Sequence, residues 1–353
     1  MLSGYASNAV LSKARAMYGK RLTSKDYNEL LNCDSVTDVA LYLKYKTNYA
    51  EILSDLNESD IHRGQLENLL RKKIFNDFEK LERFELSIGE DLAQYIIIRT
   101  EIEQIVHVLI FLISNKTEKY IYTMPEFFNK HTSVDLPAFS KVKSYDDFLD
   151  VLKGSVYYKL LKNYKPLENE PINLNKIENV LYTYLYKRIF EMIKSYKNAR
   201  VEKELNEMFN LFVDLHNFVR VLRLKKFYKA SPELIYDSIL PFGLFKRKHI
   251  EGFVHAKNSD EVISIMRSTW LSGKMRDIRY NYVDEIPDIM RYRKSRHNIR
   301  YSTKPPVVMI SYVFLTEIEL ANIINIIEGV RYKLPPEKID ELLIYDNVRQ
   351  KQK

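Results

Sequence analysis

The chain has 353 residues and a net charge of +8, enough for about two or three domains or for one body built from repeated units. Nine glycines and eleven prolines leave little turn material for a β-sandwich, a barrel or a disordered tail, so long helices are expected throughout. The single cysteine, Cys33, cannot close an internal disulfide or build a cysteine-based zinc site, which points to a reducing compartment.

From the N-terminus, MLSGYASNAVLSKAR has no basic region followed by an apolar core, so no signal peptide is read there. Apolar residues at helical spacing predict helices over 59–84, ending near Phe84, and over 90–115, with the segment from Ser87 to Gly89 joining them. A second pair is predicted over 172–196 and 200–227, and a last long helix after Pro305 and Pro306. The most apolar stretch, 105–113, is far shorter than the roughly 20 residues that span a bilayer. A peripheral or soluble protein is expected. No strand pattern is present, and the fold class is all-α.

Short helices alternate with the long ones. Three capped starts pair an N-cap acceptor with a carboxylate three residues on: Ser35 with Asp38, Ser144 with Asp147, and Asn258 with Glu261, spaced 109 and 114 residues apart. At the eighth and fifth positions before each cap, and the fourth, fifth and eighth after it, every residue is apolar, from Tyr27, Leu30, Val39, Ala40 and Leu43 in the first copy onward. A second series lies on the long helices: Glu101 with Gln104, Asp214 with Asn217, and Glu319 with Asn322, at spacings of 113 and 105 residues. Residues i and i+3 share a helix face, so each acid and amide can pair with each other or with one neighbouring helix, and Glu319 and Asn322 are expected to fix helix packing inside the last unit rather than to touch a ligand. Both series predict a unit of about 110 residues used three times, 1–118, 119–230 and 231–353, in a pseudo-threefold body.

The positive charge is concentrated. Between Arg220 and Lys304 there are 19 Lys and Arg against 9 Asp and Glu, leaving the remaining residues slightly acidic. The densest parts are Arg223, Lys225, Lys226 and Lys229, then Lys246, Arg247 and Lys248, then Arg291, Arg293, Lys294, Arg296 and Arg300, the last interleaved with Tyr280, Tyr282, Tyr292 and Tyr301. Such a region can be a solvated face, or it can attract nucleic acid, anionic headgroups or an acidic protein.

Chemistry is harder to find. Ser272-Gly273-Lys274 lacks the rest of a phosphate loop. His249 and His255 point apart on a helix, and His107 and His216 have nearby carboxylates but no third ligand. Cys33 reads as a buried structural thiol. Trp270, with Tyr49 and Tyr157 at the corresponding places after the other short helices, reads as packing. No catalytic, cofactor-binding or metal-binding constellation is identified.

The residues Tyr5-Ala6, Ala14-Arg15-Ala16-Met17-Tyr18-Gly19-Lys20, Leu22-Thr23 and Asp26-Tyr27, with Leu30, Cys33 and Asp38, resemble the start of the C subunits of archaeal and bacterial V/A-type rotary ATPases, the counterparts of the vacuolar ATPase d subunits. Tyr312, Glu317-Ile318-Glu319-Leu320-Ala321-Asn322-Ile323, Ile326 through Tyr332, and Pro336-Glu337 resemble that family's closing signature. The resemblance implies a non-catalytic, funnel-like rotor part without a cofactor. It would stand peripherally at the cytoplasmic face, between the shaft subunits D and F and the membrane c-ring, touch the membrane only through the ring, and bind no nucleic acid. The clusters at 291–300 and 246–248 are then candidate partner contacts. The reading that sets the resemblance aside is a helical adaptor that binds nucleic acid or an anionic membrane through its basic region.

Overall fold

The computed structural model describes the chain except residues 1, 58–60, 62, 84–88, 168–169, 276–277, 279–284 and 347–353, together with the side chains of 2–7, 82 and 89–92. The expectations for Phe84, Ser87, Tyr280 and Tyr282, and for the side chain of Tyr5, lie outside the described residues.

Among the described residues there are helices and no strands. In chain order they are α1 (Leu2–Gly19), α2 (Ser24–Leu31), α3 (Val36–Lys46), α4 (Arg63–Glu82), α5 (Gly89–Ile113), α6 (Tyr145–Val151), α7 (Val156–Leu161), α8 (Leu174–Ser195), α9 (Ala199–Arg223), α10 (Pro232–Ser238), α11 (Arg247–His255), α12 (Ser259–Met266), α13 (Ser272–Met275), α14 (Ile286–Tyr301), α15 (Pro305–Arg331) and α16 (Pro336–Asp340). Tight turns at Thr117–Tyr122, Glu126–Lys130 and Pro137–Lys141 follow α5, and a π turn, Leu224–Tyr228, ends α9. The expected long helices are found as α4, α5, α8, α9 and α15. The helices α1 and α14 are additions to that set. The arginines of α14 hide the apolar signal of Ile286, Ile289, Met290 and Ile299, which it buries.

The chain forms two compact units, Met1–Ala93 with Arg279–Lys353, and Gln94–Ile278. In the first, α15 is the core helix, contacted by α1, α2, α3, α4, α14 and α16. It opens with Pro305 and Pro306, where a missing N–H costs nothing, and is buried nearly all round. By length and composition alone α15 could cross a membrane, but 78% of its most apolar window is covered by the protein, as in a core helix. In the second unit α9 pairs with α8, and α10 and α12 lie on α9. Its N-cap Asn198 accepts from Arg200 N and Val201 N, and its stripe of Leu205, Met208, Phe209 and Phe212 is buried.

All three expected caps are present. Ser35 Oγ accepts from Asp38 N at 3.1 Å, Ser144 Oγ from Asp147 N at 3.1 Å, and Asn258 Oδ1 from Glu261 N at 3.0 Å. In the second and third copies the carboxylate answers backbone in return: Asp147 accepts from Ser144 N at 3.0 Å and Glu261 from Lys257 N at 2.7 Å. The repeated apolar positions around these caps are buried, except Ile250 and Ile263, which are half-buried.

Candidate functional site

The acids of the second series each leave their own helix face and reach a short-helix segment. Glu319 on α15 accepts from Tyr49 Oη at 2.9 Å and Leu22 N at 2.7 Å. Glu101 on α5 accepts from Tyr157 Oη at 2.6 Å, Thr132 Oγ1 at 2.7 Å and Ser133 N at 3.3 Å. Asp214 on α9 accepts from Trp270 Nε1 at 2.6 Å, Leu244 N at 3.0 Å and Phe245 N at 3.3 Å. The aromatic partners are the three residues that the sequence places after the short helices, and they are hydrogen-bond donors as well as packing groups.

The amides repeat the arrangement one turn on. Asn322 Nδ2 donates to Tyr27 Oη at 3.1 Å and Ile344 O at 2.8 Å while its Oδ1 accepts from Ile344 N at 2.9 Å. Asn217 donates to Leu240 O at 3.1 Å and accepts from Leu240 N at 2.8 Å. Gln104 accepts from Tyr120 Oη at 3.0 Å. Pairing within the amide and acid themselves is therefore not what the spacing serves: each group satisfies backbone or a ring hydroxyl of another segment. Glu319 reaches the N-terminal segment, 297 residues away at Leu22, and Asn322 reaches Tyr27 there as well as Ile344, so the pair does not pack inside the last unit alone, contrary to the expectation from the spacing. The pairing order is cyclic in sequence. α5 and α9 each hold the short helices that follow them, and α15 holds those at the start of the chain.

Burial raises the Glu319 carboxyl above its ordinary value, and the bonds from Leu22 and Tyr49 only partly offset that. Burial lifts Asp214 to about 6 against the pull of Trp270, Leu244 and Phe245. The backbone before Leu244 turns through Gly243 at φ +102°, and a Cβ there would run into the Asp214 carboxylate. Asp26 closes a capping box with Thr23 and accepts from Tyr42 Oη at 2.9 Å. Burial raises its pKa, but these hydrogen bonds win and hold it below the usual carboxylate range. The Tyr27 ring packs against that of Tyr345, tilted by 33° with centres 4.4 Å apart.

A third repeat carries no signal in the sequence. Each long acid-bearing helix ends on a left-handed residue that is not glycine: Asn115 at φ 53°, Lys229 at φ 46° and Lys333 at φ 53°. The closing bonds are Lys116 N to Phe111 O at 2.9 Å, Ala230 N to Leu224 O at 3.2 Å and Leu334 N to Gly329 O at 2.9 Å. With glycine absent, the usual mark of such an end is absent too.

The basic residues divide. Arg291 pairs with Glu317 at 3.3 Å and Asp288 at 3.4 Å and lies over the Phe314 ring. Arg296 pairs with Asp346 at 2.9 Å. The absence of acids between 291 and 300 thus does not leave these two charges unanswered, because Glu317 and Asp346 come from elsewhere in the chain. Arg293 and Lys294 also lie on α14, half-buried, and Arg300 is exposed. Lys246, Arg247 and Lys248 are exposed at the start of α11, with Arg247 bonded to Glu251 at 2.8 Å.

Cys33 is half-buried, its thiol pushed up to about 11 by burial and the acids Asp38, Asp34 and Glu29, which makes it a poor nucleophile. Burial and the charges of Arg220 and Arg223 take His216 down to about 4. Among the described residues no three His, Cys, Asp or Glu side chains converge on a metal position. A pocket of about 200 Å³ in the first unit is lined by Tyr18, Asn48, Lys73 and Glu319, among others. Its cations are answered internally, Lys73 by Asp77 and Arg21 by Asp346.

The A-type ATP synthase C subunit of Pyrococcus horikoshii is 21% identical over 341 residues, 94% of this chain and 88% of the relative. That of Methanosarcina mazei is 25% identical over 346 residues, 95% of this chain and 91% of the relative. A family model described as ATP synthase (C/AC39) subunit matches residues 10–342, and it spans all three repeated anchors, so the chain belongs to that family, the C subunits of V/A-type ATPases.

Proposed function

We propose that the chain is the non-catalytic coupling part of a V/A-type ATPase rotor, standing at the cytoplasmic face of the membrane between the shaft subunits D and F and the c-ring. The observation that carries this reading is the thrice-repeated carboxylate anchor. A part that passes torque must resist shear between its helices, and close-packed apolar stripes tied by satisfied buried polar groups do so. Membership of the family supports the place in the complex. The role requires no cofactor, and each acid is already spent on structural donors.

Three related units, 1–118, 119–230 and 231–353, belong to the proposal. The exposed residues Arg300, Lys246, Arg247 and Lys248, with Arg293 and Lys294 beside them, are its candidate partner contacts. A nucleic-acid adaptor is less well supported, because Arg291 and Arg296 are answered by the chain's own acids. Pull-down of the tagged chain from solubilised membranes is the test. Copurification of shaft and ring proteins is expected, and recovery of the chain without either would overturn the proposal.

A further inference from the structure

The three helix ends serve as controls for one another. Asn115 lies 14 residues beyond Glu101 and Lys333 lies 14 beyond Glu319, whereas Lys229 lies 15 beyond Asp214. The π turn Leu224–Tyr228 takes up that one extra residue. Lys225 ties the turn down, its Nζ donating to Val254 O at 2.8 Å at the end of α11. The next four residues face outward. Phe227 and Tyr228 are 64% and 74% exposed, Lys226 and Lys229 flank them in solvent, and Lys226 Nζ lies 5.1 Å from the Phe227 ring centre. The carboxylate whose charge acts on Lys225, Glu261, accepts from Lys257 N at 2.7 Å.

Two adjacent exposed rings between two cations have the composition of a segment at a membrane surface, where rings sit at the headgroup level and lysines reach phosphate. A stable protein interface takes about 800 Å² from each partner with matching shape, more than a four-residue tip offers. A lipid surface needs no matching shape. We propose that the π-turned end of α9 is a direct contact site for anionic phospholipid headgroups, with Phe227 and Tyr228 entering the headgroup layer and Lys226 and Lys229 meeting the phosphates. This adds a lipid contact to the ring-mediated one and does not depend on the rotor reading.

The test is cosedimentation of the full chain with phosphatidylcholine vesicles made with and without phosphatidylglycerol. Reversible, salt-sensitive binding to the anionic vesicles alone is expected. Phe227→Ser with Tyr228→Ser should weaken it about tenfold, and Lys226→Glu and Lys229→Glu about fivefold each or more. Tyr122→Ser removes a ring that is 79% exposed elsewhere and should change nothing. Unaltered circular dichroism establishes that the variants are folded. Failure of the wild type to bind, equal binding to neutral vesicles, or full binding by the variants would overturn the proposal. So would variants that bind vesicles normally but no longer copurify with protein partners in detergent, which would assign the tip to a protein. Copurification itself is untouched by a negative vesicle result, so the two readings fail separately.

Discussion

The anchors at Glu319 and Asp214 solve one problem with different parts. Glu319 is held by a tyrosine hydroxyl and one backbone N–H, and its neighbour Asn322 completes the attachment through Tyr27 and Ile344. Asp214 is held by an indole N–H and two consecutive backbone N–H groups, delivered by a glycine turn that brings the backbone against the carboxylate. The position of an acid on a long helix is what repeats, while the donors are chosen locally. In the first case the stakes are long-range: Tyr49 and Glu319 are 270 residues apart, so this bond ties the two ends of the sequence together.

The two anchors should break unequally. Glu319→Ala leaves a buried N–H and a buried hydroxyl without a partner and opens space in the core. A loss of about 4 kcal/mol is expected in urea unfolding. Gly243→Ala attacks Asp214 from the other side, combining a left-handed backbone with collision against the carboxylate, and about 3 kcal/mol should be lost. If Gly243→Ala is neutral, the close approach is not what fixes the turn.

Next in size is pH. The folded-state pKa of Asp214 is raised to about 6 from an ordinary value of 3.8, so folding favours its protonated form. Its contribution to stability is therefore full below about pH 4 and is lost as pH rises through 6, by about 3 kcal/mol. Trp270 is the chain's one tryptophan and bonds directly to this carboxylate, so its emission should titrate near pH 6 and Asp214→Asn should abolish the step. Emission that is flat from pH 4 to 8 would contradict the assignment.

Asn322→Ala should cost about 1 to 2 kcal/mol, with melting temperature as the readout. Smallest is Ser35→Ala, which removes a side-chain cap at an exposed helix start and should cost about 1 kcal/mol or less. A larger cost for the cap than for Asn322 would reverse the ranking of local and long-range ties.

That ranking also explains what can be read in the sequence. The long helices are legible because their apolar stripes are local, as are the caps at Ser35, Ser144 and Asn258, whose partners lie three residues on. The acids of the anchors are legible as a series, but their donors are not, because Leu22, Tyr49 and Tyr27 are brought to α15 only by folding. The ion pairs of α14 escape for the same reason. Its charge is visible in 291–300, while the answering acids Glu317 and Asp346 lie outside that window.

The proposed role is tested most directly by ion transport set against ATP hydrolysis in membranes that carry or lack this chain. Without the chain, hydrolysis should persist while ATP-driven ion transport is lost, and restoring the wild-type chain should restore transport. Glu319→Ala should restore it poorly if a stiff coupling part is required. Full ATP-driven transport in membranes lacking the chain would contradict the account.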